Sequence, residues 1–148
     1  MEQPSFLPLV LIACSGRKLD RPAPARELYQ GQLFKSSVAY AERAVLPWRV
    51  LSAKLGLVHP DDVIEPYEQR LSHRPRENLD WARRVLPELQ RHAPAKIIFL
   101  AGVDYRDPLI PWCESRSIAW EAPLAGLSIG RQLSRIKTMY QAMPMRPA

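Results

Sequence analysis

Pro8-Leu9-Val10-Leu11-Ile12-Ala13-Cys14-Ser15-Gly16-Arg17-Lys18 is the stretch whose reading decides the fold. Its first six residues form a continuous apolar run closed by a small residue, the pattern of a strand buried on both faces. Its last five place a thiol, a hydroxyl, a flexible glycine and two cations directly after that strand. Trp48–Ala53 and Lys96–Ala101 have the same form, and Ile118–Ala122 is a weaker fourth strand. Between them, helical spacing of apolar residues runs over about Leu33–Leu46, Pro75–His92, Tyr105–Arg116 and Gly130–Met143. Strands alternating with helices in this order predict an α/β fold, a compact three-layer domain over residues 1–148 with a mainly parallel sheet flanked by helices. Pro144–Ala148 reads as a frayed tail.

Composition narrows the function classes. Apolar residues make up 47% of the 148 residues and charged residues 24%, which argues against intrinsic disorder. No apolar run approaches the roughly 20 residues of a membrane span, so no membrane partner is expected. Met1–Pro8 lacks the basic flank and cleavage site of a signal peptide, which leads us to expect a cytoplasmic protein. Cys14 and Cys113 are too few for a disulfide scaffold or a cysteine zinc cluster. His59, His73 and His92 show no metal-ligand spacing, and the turn at Cys14–Lys18 lacks the G-x-x-x-x-G-K of a Walker loop, so we expect neither metal nor cofactor. The net charge is +6, and 16 of the 21 cations are Arg. That bias suits DNA, RNA or a free nucleotide, because Arg offers a planar fork that fits phosphate. Biased genome composition gives the same signal.

In a parallel α/β sheet, ligands bind outside the carboxyl ends of the strands. Three turns should therefore share one edge: Cys14–Lys18, Ser52–Gly56 and Ala101–Tyr105. In the first, successive N–H groups with Ser15, Arg17 and Lys18 can cradle an anion. Cys14 is either a nucleophile activated by these cations or a small packing residue at the strand end. Lys54, after the second strand, either binds phosphate or acts as a base, or is a solvated loop lysine. The segment Pro60–Tyr67 sets Asp61, Asp62 and Glu65 between two prolines, with Tyr67 directly after the second. Asp62 and Glu65 are candidate general acid and base, although paired carboxylates in loops more often cap turns. Before the last helix, Ser128 in Gly126–Gly130 offers a cap or an anion donor. Arg131 and Arg135, with Lys137 nearby, form a stripe for a nucleic-acid backbone or an ordinary solvated face.

The linear order of these motifs resembles the YaaA-like family. The most specific match is L-S-x-x-x-G-L-V-x-P-x-D-x-I-x-P-Y over Leu51–Tyr67, with Lys18-Leu19-Asp20 and Leu28-Tyr29-Gln30-Gly31 upstream. The resemblance covers the first half of the chain well and the second half by general layout. A similar C-S-x-R-K start occurs in a domain of archaeosine synthase, which modifies a deazaguanine base in transfer RNA. The resemblance implies an α/β core and links to DNA binding, oxidative stress and nucleobase chemistry. By motif it puts Cys14, Ser15, Lys18, Ser52, Lys54, Gly56, Asp62, Glu65, Pro66 and Tyr67 at stake. This chain is much shorter than YaaA, which puts duplex DNA binding in doubt.

Two expectations follow. One is a protein acting on a nucleobase or nucleotide in a pocket at the strand ends, with catalytic candidates Cys14, Lys54, Asp62 and Glu65. Ser15, Arg17, Lys18, Ser52, Tyr67, Ser128 and Arg131 would bind phosphate or nucleic acid. The other is a non-catalytic DNA- or RNA-binding module of the stress response.

Overall fold

The computed structural model describes residues 7–144, so the sequence reading of Met1–Phe6 and of the tail beyond Pro144 lies outside the described residues. The chain opens with β1 (Leu9–Ala13), then β2 (Ala23–Pro24), the one-turn α1 (Ala25–Leu28) and α2 (Gln32–Arg43). Next come β3 (Trp48–Ser52), β4 (Gly56–Val58) and β5 (Val63–Ile64). A 3-10 turn over Pro75–Asn78 leads into α3 (Leu79–His92), followed by β6 (Lys96–Leu100), α4 (Val103–Arg106), α5 (Ile110–Ser115), β7 (Ala119–Glu121) and α6 (Ile129–Ala142). The five-stranded sheet has the order β4-β3-β1-β6-β7. Its three central strands are parallel, with Val10 opposite both Trp48 and Ile98.

The alternation of side chains along β1 divides the core in two. Val10 and Ile12 join Phe34 and Ala41 of α2 and Ile136 of α6 on one face. Leu9 and Leu11 join Trp81, Val85 and Leu89 of α3 and Cys113 of α5 on the other. Each face carries a continuous apolar layer, which is why β1 reads as an unbroken hydrophobic run. The result is a compact α/β arrangement of helix, sheet and helix.

Three features depart from the sequence reading. The helix expected over Tyr105–Arg116 is two helices, because Pro108 has no N–H for the ladder and its ring crowds the preceding turn. The chain restarts at Ile110 with Pro111 in the first turn, where a missing N–H costs nothing. The second departure is β4, an antiparallel edge strand hairpinned onto β3, with Ser52 opposite Gly56. Gly56 has φ +79°, the left-handed backbone that this tight reversal needs. Thirdly, β2 pairs antiparallel with β5 as a separate two-stranded ribbon, Ala23 opposite Ile64. That ribbon fixes the Pro60–Tyr67 segment beside the end of the sheet.

Candidate functional site at the strand ends

The turn after β1 is pinned to the start of α2. Ser15 Oγ donates to the Arg17 carbonyl at 2.7 Å and accepts from the Gly31 N–H at 3.0 Å. The Gln30 N–H donates to the same Arg17 carbonyl at 2.8 Å, and Lys18 bridges to Tyr29. Gly31 is required by contact: a Cβ there would lie 2.8 Å from Ser15 Cβ. The sequence Cys14–Lys18 is thus held as a rigid lip between the end of β1 and the first turn of α2.

Beneath this lip lies a chain of hydroxyls. Tyr67 Oη contacts Tyr29 Oη at 2.7 Å and Ser52 Oγ at 2.5 Å. Ser52 Oγ also accepts from the Leu55 N–H, while the Ser52 carbonyl accepts from Trp81 Nε1 at 2.8 Å. Lys18 Nζ sits 4.4 Å from the centroid of the Tyr67 ring, and Lys54 Nζ sits 5.9 Å from it. Desolvation of Lys18 lowers its ammonium below the ordinary 10.5; Arg70 adds to this, and Cys14 and Glu68 oppose it. Burial likewise raises the Tyr29 and Tyr67 phenols above their ordinary value, so both stay protonated donors.

Spaces open on both sides of the lip. On one side, Gly16, Lys18, Glu68, Gln69 and Arg70 surround a cleft of about 380 Å³. An adjoining hollow of about 240 Å³ is lined by Cys14, Arg70, His73, Asp104 and Tyr105, among others. Cys14 Sγ lies 3.4 Å from Tyr105 Oη, and His73 Nδ1 lies 2.7 Å from Asp104 Oδ2. Burial, and then the nearby Cys14 sulfur, push the Tyr105 phenol up. A Cβ on Gly16 would meet Arg70 Nη2 at 3.1 Å, so the guanidinium lies against the bare backbone of the turn. On the other side, Cys14, Ser15, Gly31, Phe34, Ser37, Gly102 and Ile129 are among the residues around a cavity of about 310 Å³.

The structure brings together Cys14, Ser15, Lys18, Lys54 and Tyr67, all at or beside the ends of β1 and β3. Arg17 is exposed, and its carbonyl, not its guanidinium, ties the turn. Ser52 is fully buried, with its hydroxyl engaged by Leu55 and Tyr67, so it supports the turn and has no surface for phosphate. Asp62 accepts from the His59 N–H at 3.0 Å and caps that turn, and Asp61 pairs with Arg26. Asp62 and Glu65 are exposed, and neither is among the residues around the spaces beside the lip. Ser128 caps α6, accepting from the Arg131 N–H at 3.4 Å, and Ile129 reaches the 310 Å³ cavity. Arg131 points to solvent. Sequence reasoning missed Arg70, the His73–Asp104 pair and Ser37 as site residues. Arg70 and His73 follow the Leu51–Tyr67 block within a few residues, the one signal that could have flagged them.

Among the described residues no group of three His, Cys, Asp or Glu side chains is arranged to hold a metal ion, and no helix is long and apolar enough to cross a membrane. No curated protein and no solved structure matches the chain. Residues 9–138, from the first residue of β1 into α6, match the model of DUF6884, a family of unknown function, and the chain belongs to that family.

Proposed function

We propose that this protein binds a nucleobase or nucleotide at the C-terminal ends of β1, β3 and β6 and acts on it there. The observation that carries this reading is the cleft beside Gly16. Lys18 and Arg70 flank bare backbone there, and Cys14, Tyr105 and the His73–Asp104 pair open into adjoining space. Two cations around an exposed turn suit a phosphate. Lys18 has its charge disfavoured by burial, so its lone pair is available closer to neutral pH than that of a solvated lysine. The Asp104 carboxylate, 2.7 Å from His73 Nδ1, orients the imidazole beside this space, an arrangement that suits proton transfer. Lys18 and Cys14 therefore take the reactive roles in this reading; Lys54, 5.9 Å from the Tyr67 ring centroid, lines none of these spaces and, like Asp62 and Glu65, has no such role. The resemblance of the Leu51–Tyr67 block to YaaA-like proteins points the same way.

The test is equilibrium binding of the four nucleoside 5′-monophosphates, single-stranded DNA, duplex DNA and transfer RNA at two salt concentrations. Wild type is compared with the Lys18→Ala/Arg70→Ala double variant. The expected result is binding that the double variant loses while its melting temperature stays within a few degrees. Equal binding by both proteins, or no binding by either, overturns the reading.

One observation favours a second reading, a non-catalytic module that grips DNA or RNA by charge. Arg131, Arg135 and Lys137 are exposed on α6, and among the described residues none of them has an ion-pair partner. By contrast Arg26, Arg74, Arg83 and Lys96 each pair with a carboxylate. In the same experiment this reading gives polymer binding that falls steeply with salt and survives Lys18→Ala/Arg70→Ala.

A further inference from the structure

The 310 Å³ cavity lies on the opposite side of the Cys14–Ser15 segment from the cationic cleft. Its walls are mostly apolar: Ile12 and Leu100 from the sheet, Leu33 and Phe34 from α2, Ile129 and Leu133 from α6. None of the side chains around it is a lysine, arginine or carboxylate. A phosphate would find no countercharge there.

Two sets of unused hydrogen-bonding groups face this space or stand at its edge. The first N–H groups of a helix have no intrahelical acceptor. In α2 those of Gln32, Leu33 and Phe34 are such groups, and no side chain caps them. Independently, Ser37 sits one turn further along α2, fully buried, lining the cavity, with no partner for its hydroxyl. A helical serine normally bonds the carbonyl one turn back, and a buried hydroxyl left unpaired is unfavourable. Ser37 makes no such bond among the described residues, so its hydroxyl is left unpaired beside the cavity.

We infer that this cavity takes the uncharged, flat ring of a heterocyclic ligand. Carbonyl or ring-nitrogen atoms on the ring edge bond to Ser37 Oγ and to the free N–H groups of α2. The volume stands at the low end of the roughly 300–1,000 Å³ usual for ligand pockets, which fits one ring system and not a larger chain. Cys14 and Ser15 line both this cavity and the hollow of Arg70, His73 and Asp104, and that hollow shares Gly16 and Arg70 with the Lys18 cleft. A ligand with its ring in the cavity therefore passes Cys14–Ser15 to set its phosphate on Arg70, with Lys18 beyond. This inference rests on the nucleotide reading above and divides that ligand between two compartments.

Calorimetric titration with free adenine, guanine, cytosine and uracil, with their nucleoside 5′-monophosphates, and with ribose 5-phosphate tests it. The proteins are wild type, Ser37→Ala, Leu133→Trp and Arg70→Ala. At least one free base is expected to bind. Ser37→Ala should weaken that base by about tenfold, the value of one hydrogen bond, with no fall in melting temperature. Leu133→Trp should fill the cavity and abolish base binding, and Arg70→Ala should weaken only the monophosphate. If Leu133→Trp does not fold, Ser37→Ala decides alone. Monophosphate binding that responds to Arg70→Ala but not to Ser37→Ala overturns the ring assignment and leaves the nucleotide reading standing. Ribose 5-phosphate binding as tightly as the monophosphates does the same. If no base and no monophosphate binds, both fall.

Discussion

The two sides of the Cys14–Gly16 lip are made of the same backbone but of opposite chemistry. Towards α2 and α6 the lip faces an uncharged cavity, and its contact with α2 is a close approach that only Gly31 allows. Towards α3 and α4 it faces Arg70, the His73–Asp104 pair and Tyr105, mostly on exposed or half-buried side chains. One side is set by packing, where small changes of volume are felt because interiors are close-packed. The other is set by charge, where long side chains can shift and solvent screens them. A single strand end therefore offers two environments within one turn of chain. That suits a ligand with one apolar and one anionic end better than it suits a uniform polymer.

If the contrast is real, matched changes on the two sides must differ in size. The largest effect is expected from Gly31→Ala. The added Cβ would lie 2.8 Å from Ser15 Cβ and 2.9 Å from Ser15 Oγ, and neither atom can swing away because that hydroxyl holds the Arg17 carbonyl and the Gly31 N–H. Overpacking of this kind costs about 1–3 kcal/mol, and the lip should separate from α2. Urea unfolding checks the stability, and a midpoint unchanged from wild type would show that the packed side is not packed.

How much of this was legible follows from what each feature depends on. β1, β3 and β6 are visible as apolar runs because a strand covered on both faces must be apolar throughout, and the convergence of their turns follows from parallel topology alone. β4 and the β2–β5 ribbon are two or three residues long, and their pairing exists only once partners are in place, so no period announces them. Arg70 and His73 meet Gly16 and Asp104 across tertiary distances, with no spacing rule connecting them. Asp62 had the right chemistry for a catalytic acid, yet it caps a local turn, the commoner fate of a loop carboxylate. Ser37 was hidden for a simpler reason: a small polar residue on an amphipathic helix attracts no notice until its burial and missing partner are seen.

An intermediate effect is expected from alkaline pH, acting on groups of the charged side and the layer below it. Burial raises the Cys113 thiol from 9.0 to about 11, and it raises Tyr29, Tyr67 and Tyr105 above 10.0. A group whose folded value exceeds its unfolded value stabilises the fold fully below the unfolded value and loses that contribution as pH rises towards the folded one. Stability should therefore begin to fall above about pH 9 through Cys113 and fall faster above pH 10 through the tyrosines. Lys18 contributes with the opposite sign. Its lowered value makes folding more favourable as pH rises towards 10.5, a gain from one partly exposed amine set against losses from three buried groups and the half-buried Tyr105. Urea midpoints from pH 8 to 11 read the balance, and Cys113→Ala should flatten the slope between 9 and 11. A midpoint that rises over this range would mean that the phenols and the thiol are not held as described.

The smallest effect on stability is expected from Gly16→Ala, the counterpart of Gly31→Ala on the charged side. Its Cβ would meet Arg70 Nη2 at 3.1 Å, but that atom ends a flexible, exposed side chain. The guanidinium can withdraw, and the alanine also restricts the unfolded chain, which is worth about 0.4–1 kcal/mol where the backbone tolerates it. The unfolding midpoint should therefore stay near that of wild type. What the variant does change is the position of Arg70 over the turn, so nucleoside monophosphate affinity should drop while free-base affinity holds. A large stability loss instead would mean that the Gly16 side is packed as tightly as the Gly31 side. The lip would then divide two parts of one core, and the cationic cleft would lose its standing as the place where an anionic group lies against bare backbone.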